Sequence, residues 1–287
     1  MSLTIRPITG ADTEACGRII YEAFKGFHDR HQFPRDFQTL EDAVQLIGLF
    51  VDHPAIFGAV AEIDGRIVGS NFLDERNSVR GVGPITVDPD VQEQGIGRRL
   101  MESVMERGRD ATGIRLVQDA FNMCTLALYA SLGFEVKEPL ALMEGKPKSK
   151  ALGGVEVRTL QSKDLAECAS LCMRVHGFDR ANELRDALEL FSPLVALREG
   201  RITAYASAPF YWKLNHGVAE TDEDMRALIV GAGAMNTEPP AMLVPVRQAN
   251  LFRWCLREGL RVLKPMTLMA TGMYQEPKGC YFSSVLY

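Results

Sequence analysis

The chain has 287 residues, 46% of them hydrophobic and 24% charged, with a formal charge of −5. That is the balance of a globular protein, and the length suits two domains of ordinary size. The charge excludes a basic field of the kind that draws nucleic acid or anionic membrane. No apolar run reaches the length of a bilayer span, and the start, Met1-Ser2-Leu3-Thr4-Ile5-Arg6, reads as strand rather than signal peptide. The cysteines (Cys16, Cys124, Cys168, Cys172, Cys255 and Cys280) form no Cys-x-x-Cys pair and fit no disulfide framework or zinc module. Reduced thiols in a cytoplasmic protein are expected.

In chain order, Thr4 to Pro7 predicts an edge strand. Asp12 to Phe24 carries apolar residues at helical spacing, with Asp12 as N-cap. Leu40 to Phe50 predicts a second helix. Ala55 to Glu62 and Arg66 to Leu73 read as a hairpin turning at Asp64-Gly65. Gly81 to Val87 predicts a strand, with Gly81-Val82-Gly83 serving its bend. Gly95 to Gly108 reads as helix, Ile114 to Asp119 as strand, Asn122 to Leu132 as helix, and Phe134 to Lys137 as strand. This order makes an α/β layer around a mixed sheet. Asp74, Glu75 and Asp119 are the nearest acidic candidates for a general base, and each is expected to be a solvated strand-end carboxylate instead. His28-Asp29-Arg30-His31 is expected as a solvated turn in the loop after the first helix, with substrate contact as the second reading and no third metal ligand to support a metal.

The second half echoes the first. Arg6, Ile8, Asp12 and Cys16 are answered 152 residues on by Arg158, Leu160, Asp164 and Cys168. Gly26-Phe27 is answered by Gly177-Phe178, and Asp64-Gly65-Arg66-Ile67 by Glu199-Gly200-Arg201-Ile202. Gly133 to Pro139 is answered by Gly259 to Pro265. Four matches in one order argue for two copies of one fold. Glu144 to Lys150 is basic, contains glycine and proline, and is followed by Leu152-Gly153-Gly154, a linker composition. The expected domains are 1–145 and 155–287, joined by 146–154.

The chemistry concentrates in Ile85 to Met101. An apolar strand ends at Pro89, and two glycines sit where a helix begins. A helix start offers unpaired N–H groups and the positive end of a dipole. Glycines let a large anion approach, so the segment is a phosphate cradle. It is neither a Walker loop nor a Rossmann loop.

Val87-x-Pro89-x-x-Gln92-x-x-Gly95-x-Gly97 resembles the signature loop of the GNAT acyltransferase superfamily. Asn122-x-x-Thr125-x-x-Leu128-Tyr129-x-x-Leu132-Gly133-Phe134 is similar to a second motif of that family, with Thr125 in place of the usual alanine. The resemblance implies two tandem GNAT-like domains, each a mixed, mostly antiparallel sheet flanked by helices. It implies acetyl-CoA as co-substrate. The pyrophosphate would meet Gln92, Glu93, Gln94, Gly95, Ile96, Gly97 and Arg98, and the pantetheine arm would meet Ile85, Thr86, Val87 and Asn122. Tyr129 would give the leaving sulfur a proton or stabilise it as thiolate, the alternative being a core or interface tyrosine with its hydroxyl satisfied. The acceptor would be a small-molecule or peptide amine, with no metal, no nucleic acid and no membrane; a homodimer is left open. A non-catalytic acyl-CoA sensor or scaffold stays open beside the N-acetyltransferase reading, as does a longer acyl donor or an acceptor thiol or hydroxyl.

The second copy keeps the frame and loses the motif. Its corresponding helix starts acidic at Glu220 to Asp224, with Gly231-Ala232-Gly233-Ala234 at the far end. Cys255 falls opposite Tyr129 and Gln248 opposite Asn122, so this copy is expected to be structural or substrate-shaping. Tyr274, Tyr281, Phe282 and Tyr287 complete a sheet or wall an acceptor pocket.

Overall fold

The computed structural model describes residues 3–150 and 153–286; Met1, Ser2, the Leu152 of the expected linker and the terminal Tyr287 lie outside them. Two compact units share the chain. One comprises Met1–Leu116 and Leu128–Gly133, the other Val117–Ala127 and Phe134–Tyr287.

The first unit contains β1 (Leu3–Pro7), α1 (Thr13–His31), α2 (Leu40–Asp52), β2 (Ile56–Ile63), β3 (Arg66–Asp74), β4 (Val79–Val82), β5 (Thr86–Val87), α3 (Ile96–Arg107) and the start of β6 (Gly113–Asp119). The strands run β1-β2-β3-β4-β6, with β5 held on β3. All neighbours are antiparallel except β4 and β6. α2 starts at a reciprocal cap: Thr39 Oγ1 accepts from the Asp42 N–H, and the Asp42 carboxylate accepts from the Thr39 N–H. Ile96, Leu100, Met101 and Val104 form the buried stripe of α3.

Several expected boundaries shift. α1 runs through His31, well past Phe24, and ends at Gln32 in the left-handed region. Asp12 makes no side-chain cap on α1. Its carboxylate turns back instead, to the Thr9 N–H at 2.9 Å and to Arg6 at 2.8 and 2.9 Å. The strand expected over Gly81 to Val87 breaks into β4 and β5 around Gly83, whose φ is +132°.

The second unit receives the end of β6 and the first part of α4 (Met123–Ser131). It then contains β7 (Glu135–Glu144), β8 (Glu156–Thr159), α5 (Leu165–His176), α6 (Ala181–Leu190), β9 (Leu194–Arg198), β10 (Arg201–Ala206) and β11 (Gly217–Ala219). α7 (Asp222–Met235), β12 (Ala241–Pro245), α8 (Ala249–Glu258), β13 (Arg261–Gly272) and β14 (Cys280–Phe282) complete it. β14-β11-β10-β9-β8 form a five-stranded sheet. β7 is much longer than the strand expected over Phe134 to Lys137. It lies between β12 and β13, pairing antiparallel with both: Ala141, for example, faces Val244 and Pro265.

α7 and α8 cover this unit's core, which includes Met225, Leu228, Ile229, Leu251, Trp254 and Cys255. Gly231 and Gly233 lie inside α7. A Cβ on them would sit 2.4 Å from Val157 and 2.8 Å from Pro147, so close packing explains both glycines.

The repeat survives in detail. Arg158 grips Asp164 at 2.6 and 3.0 Å while the Gln161 N–H donates to the same carboxylate at 2.8 Å. The two arginine bonds and the backbone N–H bond of the Arg6–Asp12 clasp thus have their counterparts. The segment read as linker is anchored by its own charges. Lys146 Nζ donates to the Asn236 carbonyl at 2.8 Å and Lys148 Nζ to the Arg257 carbonyl at 3.0 Å. Both lysines sit where a helix ends, at the negative pole of its dipole.

Candidate functional site

β4 and β6 run parallel and paired only from Val79–Gly113 to Gly81–Arg115. Beyond Gly83 the chain stays on β3, with Ser70 facing Thr86 and Gly69 facing Val87. Among the described residues β5 pairs with β3 alone. Its other edge is left open to an extended ligand.

The turn after β5 leads straight into α3. Gln92 Nε2 donates to the Val87 carbonyl at 3.1 Å, tying turn to strand. Gly95 is the N-cap at φ +79°, a conformation that glycine adopts without strain. The N–H groups of Ile96, Gly97 and Arg98 precede the first intrahelical bond, which the Arg99 N–H makes to the Gly95 carbonyl at 3.2 Å. α3 has no acid in its first turn, where Arg98 and Arg99 stand. Cations there oppose the helix dipole, a local cost that a bound anion would offset.

The Gly97 position is a direct test of fit. A Cβ there would meet Leu128 at 3.7 Å and Val87 at 3.9 Å, ordinary contacts, so packing does not demand glycine. Nothing lies within 4 Å of a Cβ on Gly95. Open space over bare N–H groups suits a diphosphate.

The structure brings most of the expected residues together. Val87 lies under the start of α3, and Gly97 reaches Leu128, next to Tyr129 on α4. Arg98 Nη2 donates to Ser131 Oγ at 2.7 Å, fixing α4 against α3. Tyr129 is buried, 5% exposed. Gln92, Glu93, Gln94, Gly95 and Arg98 are exposed, and Ile85 lies just before β5. The Ile96 side chain is core, so only its N–H can serve a ligand.

Asn122 belongs to the other unit, at the opening of α4. Its Oδ1 accepts from the Thr125 N–H at 3.2 Å, a helix-capping bond. In the same unit Gln118 is buried on β6, accepts from Thr125 Oγ1 at 2.5 Å, and its Nε2 makes no hydrogen bond among the described residues.

The carboxylates expected in solvent are all engaged. Asp74 is buried and held by Arg76 at 2.6 Å. Glu75 pairs with Arg107 at 2.8 Å and Arg80 at 3.2 Å. Asp119 is buried and pairs with Lys264 at 2.7 Å. The His28 to His31 segment is helix, not loop. Asp29 is clasped by Arg35 at 2.6 and 2.7 Å, and His28 is buried with Nε2 3.9 Å from Asp36.

The corresponding helix of the second copy begins differently. Thr221 caps α7 by accepting from the Asp224 N–H at 3.2 Å. Asp224 pairs with Arg198 at 3.0 Å, and Asp222 pairs with Arg226. The chain's own oxygens fill the place an anion would take. Burial pushes the Cys255 thiol up to about 12, so it carries no reactive thiolate at neutral pH. Gln248 Nε2 donates to the Tyr281 carbonyl at 3.2 Å. Tyr281 and Phe282 lie on β14, paired with β11, so these aromatics complete a sheet.

A splayed strand, a glycine-started helix and a tyrosine-bearing helix packed against it define a fold of the acetyltransferase type. Residues 54–136 match the model of the acetyltransferase (GNAT) domain. The whole chain has the GNAT fold in tandem form. A Pyrococcus horikoshii protein described as an acetyltransferase superposes with a TM-score of 0.76 at 18% identity, over 99% of this chain and 94% of its own. A GCN5-related N-acetyltransferase of Sphaerobacter thermophilus gives 0.62 at 14% identity, over 96% of both chains. A tandem GNAT protein from the clavulanic acid biosynthesis pathway gives 0.54 at 14% identity, over 94% of this chain and 98% of its own. No curated protein matches the sequence. Among the described residues, no helix is long and apolar enough to cross a membrane.

Proposed function

We propose that the chain is an acetyl-CoA-dependent N-acetyltransferase whose chemistry resides in its first half. The acceptor is a primary amine on a small molecule or peptide. The observation that carries this is the start of α3: bare N–H groups, no acid in the first turn, and a glycine at 97 that packing does not require.

In this reading Gln92 to Arg98 hold the pyrophosphate, chiefly through backbone N–H groups. Ile85, Thr86 and Val87 offer the free edge of β5 to the pantetheine arm, and Asn122 holds the opening of α4. Acetyl-CoA supplies an activated thioester. A peptide N–H on the free edge polarises its carbonyl. The acceptor nitrogen attacks, the C–N bond forms, and the C–S electron pair leaves with sulfur. Tyr129 gives the sulfur a proton or stabilises it as thiolate. The second copy, with its acid-filled helix start, shapes or supports the whole.

Calorimetry of acetyl-CoA with the full chain, followed by thiol release against a panel of amines, tests this. Tight binding and amine-dependent release are expected. Binding without release, together with indifference to Tyr129→Phe, would return the sensor reading. An absence of binding would end both.

A further inference from the structure

The site contains two polar side chains with no task yet. Ser70 on β3 and Thr86 on β5 face each other in the antiparallel ladder, so their side chains share one face of the sheet. Both are buried, at 1% and 5% exposure. Thr86 Oγ1 makes no hydrogen bond to another protein group among the described residues, whereas the Ser70 hydroxyl meets the Cys16 thiol. A buried hydroxyl left unmatched costs about 1–3 kcal/mol, and Thr86 bears that cost on a position that faces a second hydroxyl.

The face they occupy is set by their neighbours. Asn71, next along β3, turns to α3, where its Nδ2 lies 3.3 Å from Met101 Sδ. Successive strand residues alternate, so Ser70 and Thr86 turn the other way, towards α1. There the Cys16 thiol and the Ser70 hydroxyl are hydrogen-bonded. Val87 points to α3, and Tyr129 rides on α4, which is packed against α3. The phenol and the hydroxyl pair therefore stand on opposite faces of the strand that would carry the thioester.

Acyl transfer needs two proton movements, one to sulfur and one from nitrogen. We propose, resting on the acyl-transfer reading above, that the Ser70 and Thr86 hydroxyls relay the proton of the attacking amine from the α1 side of β5. The acceptor N–H proton passes to a hydroxyl oxygen, directly or through one water, and the hydroxyl hydrogen passes on to solvent water. The nitrogen lone pair becomes the C–N bond, the C–S pair leaves with sulfur, and the hydroxyls end unchanged. Of the titratable groups around the pair, Cys16 is neutral, its thiol pushed up to about 11 by burial. The Asp12 and Arg6 charges beyond it are paired with each other.

The test uses the full chain with Thr86→Val, which keeps shape and removes the hydroxyl, then Thr86→Ser and Ser70→Ala. Acetyl-CoA binding is measured by calorimetry. Thiol release is followed from neutral to alkaline pH, first in water alone and then with ethylamine as probe. Thr86→Val should bind acetyl-CoA as the parent does, yet release thiol roughly 10²-fold more slowly near neutrality. The deficit should shrink as alkaline pH supplies free amine and hydroxide, and Thr86→Ser should restore the rate. A parent-like rate and pH profile for Thr86→Val overturns the relay alone. So does a loss equal at every pH that serine does not repair. A parent chain that binds acetyl-CoA and releases no thiol under either condition overturns the transfer reading, and the relay with it.

Discussion

Lys264 Nζ lies 2.7 Å from Asp119 Oδ1, with the lysine side chain 0% exposed and the aspartate 6%. A cation from the second repeat thus holds a carboxylate from the end of β6, and the Trp212 ring lies 5.2 Å from the same Nζ. An isolated charge in such a place is far more costly than the pair. Lys264→Met should destabilise the protein by roughly 3–5 kcal/mol in urea unfolding, because Asp119 is left uncompensated. The double variant Lys264→Met/Asp119→Leu should recover most of the loss. Equal instability of single and double variants would show that the pair itself, rather than the orphaned charge, carries the stability.

That pair also shows where sequence reading ran out. Strand and helix order in the first half followed from periodicity and punctuation, and α3 begins and ends at the glycines that marked it, Gly95 and Gly108. The repeat was legible because Arg6, Asp12, Arg158 and Asp164 are local clasps whose partners lie six residues apart. The environments of Asp74 and Asp119 were not legible. Asp119 meets a buried lysine 145 residues on, and Asp74 is covered with its near neighbour Arg76 only because the strand around it is buried. The extension of α1 past Phe24 hid for a related reason. Phe27 and His28 continue its packed face, and His28 looks polar in sequence while being fully buried. Ser70 and Thr86 meet only through strand register, which composition does not encode.

Gly97→Ala separates folding from binding. The added methyl meets only ordinary contacts, at 3.7 and 3.9 Å, and replaces glycine within a helix. Stability should rise by about 0.5–1 kcal/mol. Acetyl-CoA affinity should nevertheless fall about tenfold or more, equivalent to ~1.4 kcal/mol. Thermal melting and calorimetry on one preparation check both signs. Unchanged affinity would remove the diphosphate from the start of α3.

Tyr129→Phe keeps the buried ring and removes the phenol. If the hydroxyl serves only the departing sulfur, kcat should fall about 10²-fold while the KM for acetyl-CoA holds. A rise in KM with kcat intact would make Tyr129 a binding residue instead.

The Arg6 guanidinium holds the Asp12 carboxyl down to about 2, helped by the Thr9 N–H, against about 3.9 in an unfolded chain. A depressed carboxyl stabilises the fold fully above its unfolded value and loses that contribution as pH falls through the folded one. About 1–2 kcal/mol should therefore disappear between roughly pH 4 and pH 2. Arg158 lowers Asp164 in the same direction. Asp12→Asn should flatten the acid limb of stability measured by urea unfolding at stepped pH, leaving the Asp164 share. An unaltered limb would assign acid sensitivity to other carboxylates.

β7 decides how the chain can be cut. Its residues 140 to 144 pair with β12 on one side, and 135 to 144 pair with β13 on the other. Ending the chain after Lys150 removes both neighbours and leaves a strand rich in Leu140, Leu142 and Met143 with two bare edges. Such strands template aggregation. The 1–150 piece alone should be insoluble or heavily associated in size-exclusion chromatography. Co-expressed with the remaining piece it should be recovered as a soluble pair, since the β7 ladders need no covalent link. A soluble, monomeric 1–150 piece that takes up acetyl-CoA would show that β7 can leave the ladder without cost to the first half.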